Sequence, residues 1–159
     1  MRGDKMDIKI ARTNINEAQE LYAIQKQAFQ SDLERYSDYK TNPAAETMNS
    51  FLQRIIFSYH YTIYIHDKVA GSIDIRRISD DHFVVNQICL NPDRQNQGYG
   101  SKIMKMIEEM FPNVKNWSLK TQKDNEKNRH FYEKAGYTLT GEQKMNHLLT
   151  LVDYEKRIR

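Results

Sequence analysis

The hexapeptide Gln95-Asn96-Gln97-Gly98-Tyr99-Gly100 constrains the fold more than any other stretch. An apolar, strand-like run, Ile88-Cys89-Leu90, precedes it and is followed by Asn91-Pro92. A run with helical periodicity, Ser101 to Phe111, comes after it. The order is therefore strand, glycine-containing turn, helix N-terminus. Backbone N–H groups collect at a helix start, where the helix dipole is positive. Gly98 and Gly100 carry no Cβ, so a ligand can come close to the backbone. Such a place suits phosphate. A Walker loop is excluded, because Ser101-Lys102 stands in the reverse order, and a dinucleotide fingerprint is excluded by Asn96 at its first glycine. A pair of glycines also fits a plain strand-to-helix turn, so the hexapeptide alone leaves both readings open.

The rest of the chain supplies the frame. Ile8 to Ala11 reads as a first strand. A helix capped by Thr13 or Asn14 follows, carrying Ala18, Leu21, Ile24, Ala28 and Phe29 on one stripe. Ser31 to Pro43 reads as a looser polar-aromatic segment. Met48, Phe51, Leu52, Ile55 and Ile56 then mark a second helix. Tyr61 to Ile65 and Val69 to Ile75 alternate about a turn at Asp67-Lys68 and form a hairpin. Ile103, Met104, Ile107, Met110 and Phe111 stripe the helix that Pro112 stops. Trp117, Leu119 and Thr121 form a strand, and a further helix ends at Ala135-Gly136. Strands at Tyr137-Leu139 and Leu149-Leu151 close the chain about a polar turn at Gly141 to Asn146.

One strand breaks its own rhythm. Phe83 and Val85 set an odd-numbered apolar phase, whereas Ile88 and Leu90 set an even one. A side-chain period of two cannot bury both sets on one face. One extra residue near Asn86-Gln87 repairs the phase, which predicts a β-bulge in the fourth strand; burial on both faces is the other solution. Hairpins and β-α-β crossovers are mixed. The expected architecture is α/β: a mixed, strongly twisted central sheet of about seven strands flanked by about four helices. At 159 residues, without a linker or repeat, residues 1–159 read as one domain.

Composition narrows the function classes. Net charge is only +3, from 24 basic and 21 acidic residues, too small a bias to argue for nucleic acid. Cys89 is the only cysteine, which fits a reducing cytosol. No apolar run has the length of a membrane span, and Met1 to Asp7 has no signal-type apolar segment, so a cytoplasmic location is expected. No His, Cys, Asp or Glu spacing points to a metal.

A second stretch, Asn125 followed by Phe131-Tyr132-Glu133-Lys134-Ala135-Gly136-Tyr137, joins Ile88 to Pro92 and Gln95-x-x-Gly98-x-Gly100 in fixed order. Together they resemble the GNAT superfamily of acetyl-CoA-dependent N-acetyltransferases. The resemblance implies acetyl-CoA as acyl donor, with its pyrophosphate on the backbone amides of Gln97, Gly98, Tyr99, Gly100 and Ser101. Gln95 would shape that loop, and Asn96 stands where many members carry glycine. Backbone of Ile88 and Leu90 would pair with the pantetheine arm. Asn125 would contact that arm, or cap a helix, or do both.

The resemblance further implies direct transfer to an amine, with Tyr132 near the cofactor sulfur as general acid. Many members place Glu six positions before the strand's proline. Asn86 occupies that position here, able to orient a water but not to act as an ordinary base. Asp74, His82 and the region of Gln87 remain as candidates for the base, with Asp74 otherwise solvated or paired with Arg76. Buried in an apolar strand, Cys89 reads as inert. The acceptor side would run from Phe29 to Glu46 and from Gly141 to Leu148. There Asp32, Glu34 and Asp38 would attract a cationic amine of a small molecule or peptide, and Tyr36 and Tyr39 would flank it. A homodimer is compatible with the chain. The missing carboxylate at Asn86 motivates one rival, a catalytically inactive CoA-binding sensor of the same fold. The ten tyrosines and the basic balance motivate a weaker one, a nucleic-acid-binding domain.

Overall fold

The break in rhythm at Asn86 is where the sheet takes its shape. In a computed structural model that describes residues 7–159, three strands come first in the sheet: β1 (Ile8–Arg12), β2 (Tyr59–Ile65) and β3 (Lys68–Ser79). They are followed by β4 (His82–Leu90), β5 (Asn116–Gln122), β6 (Thr138–Lys144) and β7 (Thr150–Arg157). The order across the sheet is β1-β2-β3-β4-β5-β7-β6. Among the described strands, β4 and β5 alone pair in parallel. The helices are α1 (Ala18–Tyr36), α2 (Met48–Phe57), α3 (Tyr99–Met110) and α4 (Glu126–Lys134). The expected mixed α/β sheet and element order are present. The reading of the N-terminal segment falls on residues 1–6, outside the described residues.

The bulge is present too. Asp74 pairs with Gln87 and Ile75 with Val85, so Asn86 is the extra residue on β4. A bulge bends its strand and increases the local twist. Accordingly β4 and β5 pair only over 82–84 and 116–118 and then separate. One further position ties β3 to β4: a Cβ on Gly71 would stand 1.9 Å from the Cys89 carbonyl oxygen, so only glycine permits this approach.

Several boundaries differ from the sequence reading. Asn14 caps a short 3-10 turn, Ile15–Glu17, and α1 follows and continues to Tyr36 rather than loosening at Ser31. Leu33 and Tyr36 extend the buried stripe by further turns, and Ser37 ends the helix in the left-handed region. Thr47 caps α2. Helix α3 starts at Tyr99, not Ser101, because Gly98 takes φ 86° and serves as its N-cap. The polar segment from Gly141 to Lys144 is not a turn; it is strand, paired residue for residue with β7.

Between the sheet and α3 lies the main core, with Ile63, Ile73, Ile75, Ile103 and Trp117 almost wholly enclosed. Each fully buried aliphatic side chain contributes roughly 1.5–3 kcal/mol. A second cluster, Leu21, Ala18, Phe51 and Ile55, seals α1 and α2 on the opposite face. His60 is buried on β2 in edge contact with Phe51, at a ring separation of 5.5 Å. Its Nδ1 meets the Thr13 hydroxyl at 2.7 Å, and its Nε2 has no hydrogen-bond partner among the described residues.

Burial pushes the His60 imidazole down to about 4, with the Asp74 charge opposing and the Arg54 charge reinforcing the shift. The unfolded chain therefore binds this proton from about pH 6.5 downward while the folded chain refuses it. Stability is present above that pH and lost as pH falls through the window. The expected loss is about 2 kcal/mol between pH 7 and pH 5. Urea unfolding across that range checks it; a His60→Gln protein should show a flatter profile.

Candidate active site

The separation of β4 from β5 opens a cleft of about 720 Å³. Val85 to Leu90 line one wall and Leu119 to Gln122 the other. The base is formed by Gly98, Gly100 and Ser101 at the start of α3, and by Phe131 and Tyr132 of α4. The far end is closed by α1 and the following loop, including Asp32, Tyr36 and Asp38.

Among the described residues no side chain caps α3. The first-turn amides of any α-helix lack partners within the helix, so this terminus offers donors to an anion in the cleft. Gly98 supplies the left-handed turn, and Asn96, at φ 63°, shares that geometry. Gly100 has a second reason to be glycine, because its Cβ would lie 3.1 Å from the Phe131 ring of α4. Gln95 Nε2 donates to the Leu90 carbonyl at 3.0 Å and holds the loop against β4. Gln97 Nε2 donates to the Asp93 carbonyl at 2.7 Å. Neither Gln97 nor Tyr99 lines the cleft; the Tyr99 ring is in the core. Arg94 and Lys127 add cations along the rim, which the sequence reading missed.

On the opposite wall, Asn125 caps α4 by accepting from the Asn128 amide at 3.0 Å, and it also lines the cleft. Tyr132 is almost fully buried, with its ring 5.1 Å from that of Phe131 and 6.0 Å from that of Tyr137. Desolvation alone pushes its phenol up to about 12, so it stays protonated across the neutral range.

At the bulge, Asn86 Nδ2 donates to Asp74 at 3.0 Å. Asp74 also accepts from Ser58 at 2.7 Å and pairs with Arg54 at 2.9 Å, not with Arg76. Arg54 makes a two-pronged contact with Glu46, at 2.9 and 2.6 Å. Burial would raise the Glu46 carboxyl, but hydrogen bonds from Arg54, Gln25 and Ser50 outweigh it and hold the carboxyl below its ordinary range. Asp74 is thereby committed to Arg54, Ser58 and Asn86. His82 meets Ser118 at 2.9 Å and lies outside the cleft. Cys89 lines the cleft, but burial pushes its thiol up to about 12, which leaves it inert.

On the far side, the residues of the expected acceptor surface divide. Asp32 is half-buried in the cleft; desolvation raises its carboxyl, and Arg35 partly offsets the shift. Asp38 is spent internally on the Thr41 amide, at 3.1 Å, and on the Thr41 hydroxyl. The Tyr36 hydroxyl donates to Asp124 at 2.5 Å. Glu34, Tyr39 and the segment from Gly141 to Leu148 do not line the cleft, whereas Leu149 and Leu151 do. Among the described residues no group of three or more His, Cys, Asp or Glu side chains stands close enough to hold a metal ion. None of the described helices is long and apolar enough to cross a membrane.

Comparison with known proteins bears on this geometry. The model of the acetyltransferase (GNAT) family matches residues 18–137. No curated protein matches the chain in sequence. Among solved structures, the chain is similar to the PaiA N-acetyltransferase of Thermoplasma acidophilum in complex with coenzyme A. The TM-score there is 0.73 at 14% identity, over 96% of this chain and 100% of that one. It is similar to the microcin C7 self-immunity acetyltransferase MccE, solved with acetyl-CoA and AMP, with a TM-score of 0.75 at 19% identity over 95% and 92%. An acetyltransferase of Streptococcus pneumoniae gives 0.70 at 18% identity over 96% and 100%.

Proposed function

The chain belongs to the GNAT acetyltransferase family, and on that premise we propose that it moves an acetyl group from acetyl-CoA directly to a primary amine of a small molecule or peptide. The observation that carries this reading is the uncapped start of α3, which opens into the cleft where β4 and β5 part. The amides of Gly98, Gly100 and Ser101, which line the cleft, hold the pyrophosphate, with those of Gln97 and Tyr99 next to them in the same turn, and Gln95 keeps the loop in place. The unpaired edge of β4 at Ile88 and Leu90, together with Asn125, holds the pantetheine arm. One sheet runs through the described residues, which supports reading residues 1–159 as a single domain.

In the transfer, the amine lone pair forms the new N–C bond while the C–S bond breaks. The amine proton passes to water in the cleft, and Tyr132 gives a proton to the departing sulfur. Asn86 carries no ionisable group, and its place beside Asp74 suits orientation rather than proton abstraction. The rival reading as an inactive sensor shares the cofactor site but has no turnover. Release of thiol from acetyl-CoA with any amine of an acceptor panel decides against it.

Binding is tested directly by melting. Acetyl-CoA at a hundred times its Kd should stabilise the protein by about 2.7 kcal/mol. For a chain of this size that corresponds to roughly 5–10 °C in Tm. No shift at millimolar acetyl-CoA overturns the proposal.

A further inference from the structure

The bulge places two side-chain amides next to each other on β4, and the surrounding charges fix which way each is turned. Asp74 only accepts, so Asn86, 3.0 Å away, must offer it Nδ2–H. For Gln87 the constraint is relayed through Gln25. Arg54 only donates, and it meets Gln25 Oε1 at 2.9 Å. The Pro43 carbonyl and the Glu46 carboxylate only accept, and they meet Gln25 Nε2 at 3.0 and 2.8 Å. Gln25 therefore presents its oxygen to Gln87, which must answer with Nε2–H at 2.7 Å. Each amide nitrogen thus gives one of its two N–H groups to the protein, which fixes the way the amide is turned, and both residues line the cleft. Their oxygens, Oδ1 of Asn86 and Oε1 of Gln87, accept no hydrogen bond among the described residues and are the acceptors the two amides have to offer.

We infer that these two oxygens form a seat for the attacking nitrogen, selective for a primary amine, with Asp74, Gln25 and Arg54 as positioning residues. The inference rests on the acetyl-transfer reading. A neutral primary amine has two N–H donors and one lone pair. Two acceptors take both hydrogens and leave the lone pair for the thioester carbonyl. A secondary amine fills one acceptor and leaves the other unpaired; so does an alcohol or a thiol. Asn86 is exposed and Gln87 partly buried in the free protein; once acetyl-CoA and the acceptor cover them, an oxygen left empty is desolvated without a partner, and that penalty gives the selectivity. An amide oxygen cannot take the amine's proton, so the seat orients without acting as base, and water in the cleft carries the proton away.

Stable thioethers of CoA test the seat without turnover. S-(2-aminoethyl)-CoA places an ammonium at the sulfur end of the cofactor, and S-propyl-CoA replaces that nitrogen by carbon. S-(2-dimethylaminoethyl)-CoA keeps the charge but retains a single N–H. By titration calorimetry the aminoethyl form should bind at least about tenfold tighter than the propyl form, and the dimethylamino form within about threefold of the propyl form. Asp74→Asn frees Asn86 to turn over and should reduce the gap, read as the ratio of the aminoethyl and propyl affinities within the same protein, from tenfold to about threefold. If that protein does not fold, Gln87→Leu removes one acceptor and should narrow the gap similarly. Equal affinity of the aminoethyl and propyl forms overturns the seat while leaving the cofactor site intact. Equal affinity of the two amino forms overturns it in favour of simple charge attraction. Heat from none of the three overturns the acetyl-transfer reading itself.

Discussion

Arg54→Met should cost about 3–5 kcal/mol of folding stability, measured by urea unfolding at neutral pH. The magnitude follows from what the guanidinium leaves behind. The Asp74 side chain is only 4% exposed and that of Glu46 14% exposed, and Arg54 is the cation paired with both. Burial works against the charge on Arg54, but the hydrogen bonds and charges of Glu46 and Asp74 more than compensate and raise its pKa. Methionine fills a similar volume, so the loss measures uncompensated charge rather than a cavity. Two enclosed carboxylates without a cation take up protons more readily. Their folded-state pKa values rise above the unfolded ones, so their contribution is intact at low pH and lost as pH increases. The difference between Arg54→Met and the parent should therefore shrink as pH falls from 7 toward 5. A loss below about 1 kcal/mol would mean that water already screens this network.

The same network marks the boundary of what the sequence discloses. Periodicity announced the bulge, because a strand that changes phase between Val85 and Ile88 has few ways to stay buried. The glycine turn before α3 and the element order were also legible, since both rest on local chemistry repeated at short range. The cleft's polar floor was not. Gln25, Glu46, Arg54, Asp74, Asn86 and Gln87 come from five separate segments, and no spacing relates them. Asp74 reads along the chain as an exposed partner of Arg76, two residues on. Tertiary packing instead turns it inward to Arg54 of α2, a residue on the polar side of an amphipathic helix. The continuation of α1 through Tyr36 was missed for a related reason: the polar residues between Leu33 and Tyr36 masked a stripe that only contact with the sheet makes apolar. Tertiary override of this kind also explains the acceptor side, where Asp38 was a plausible anion by sequence but is consumed by Thr41.

Tyr132→Phe should lower kcat by roughly 100-fold with little change in the affinity for acetyl-CoA. General acid catalysis contributes about 10²–10⁴-fold, and the lower end applies because a thiolate is already a fair leaving group. The pH dependence separates this role from a packing role. Burial holds the Tyr132 phenol up at about 12, so it remains a proton donor throughout the assay range. The amine nucleophile, by contrast, is mostly ammonium below its own pKa of about 10. Turnover should therefore rise with pH as the amine loses its proton, with no descending limb from Tyr132 below about pH 10. Phenylalanine should lower that curve by a constant factor and leave its slope unchanged. Stability should change little, because the ring contacts with Phe131, Tyr137 and Tyr154 are retained and desolvation is the only influence acting on the hydroxyl. If the variant loses acetyl-CoA affinity and turnover in proportion, the phenol serves the shape of the cleft and the proton for the sulfur comes from water.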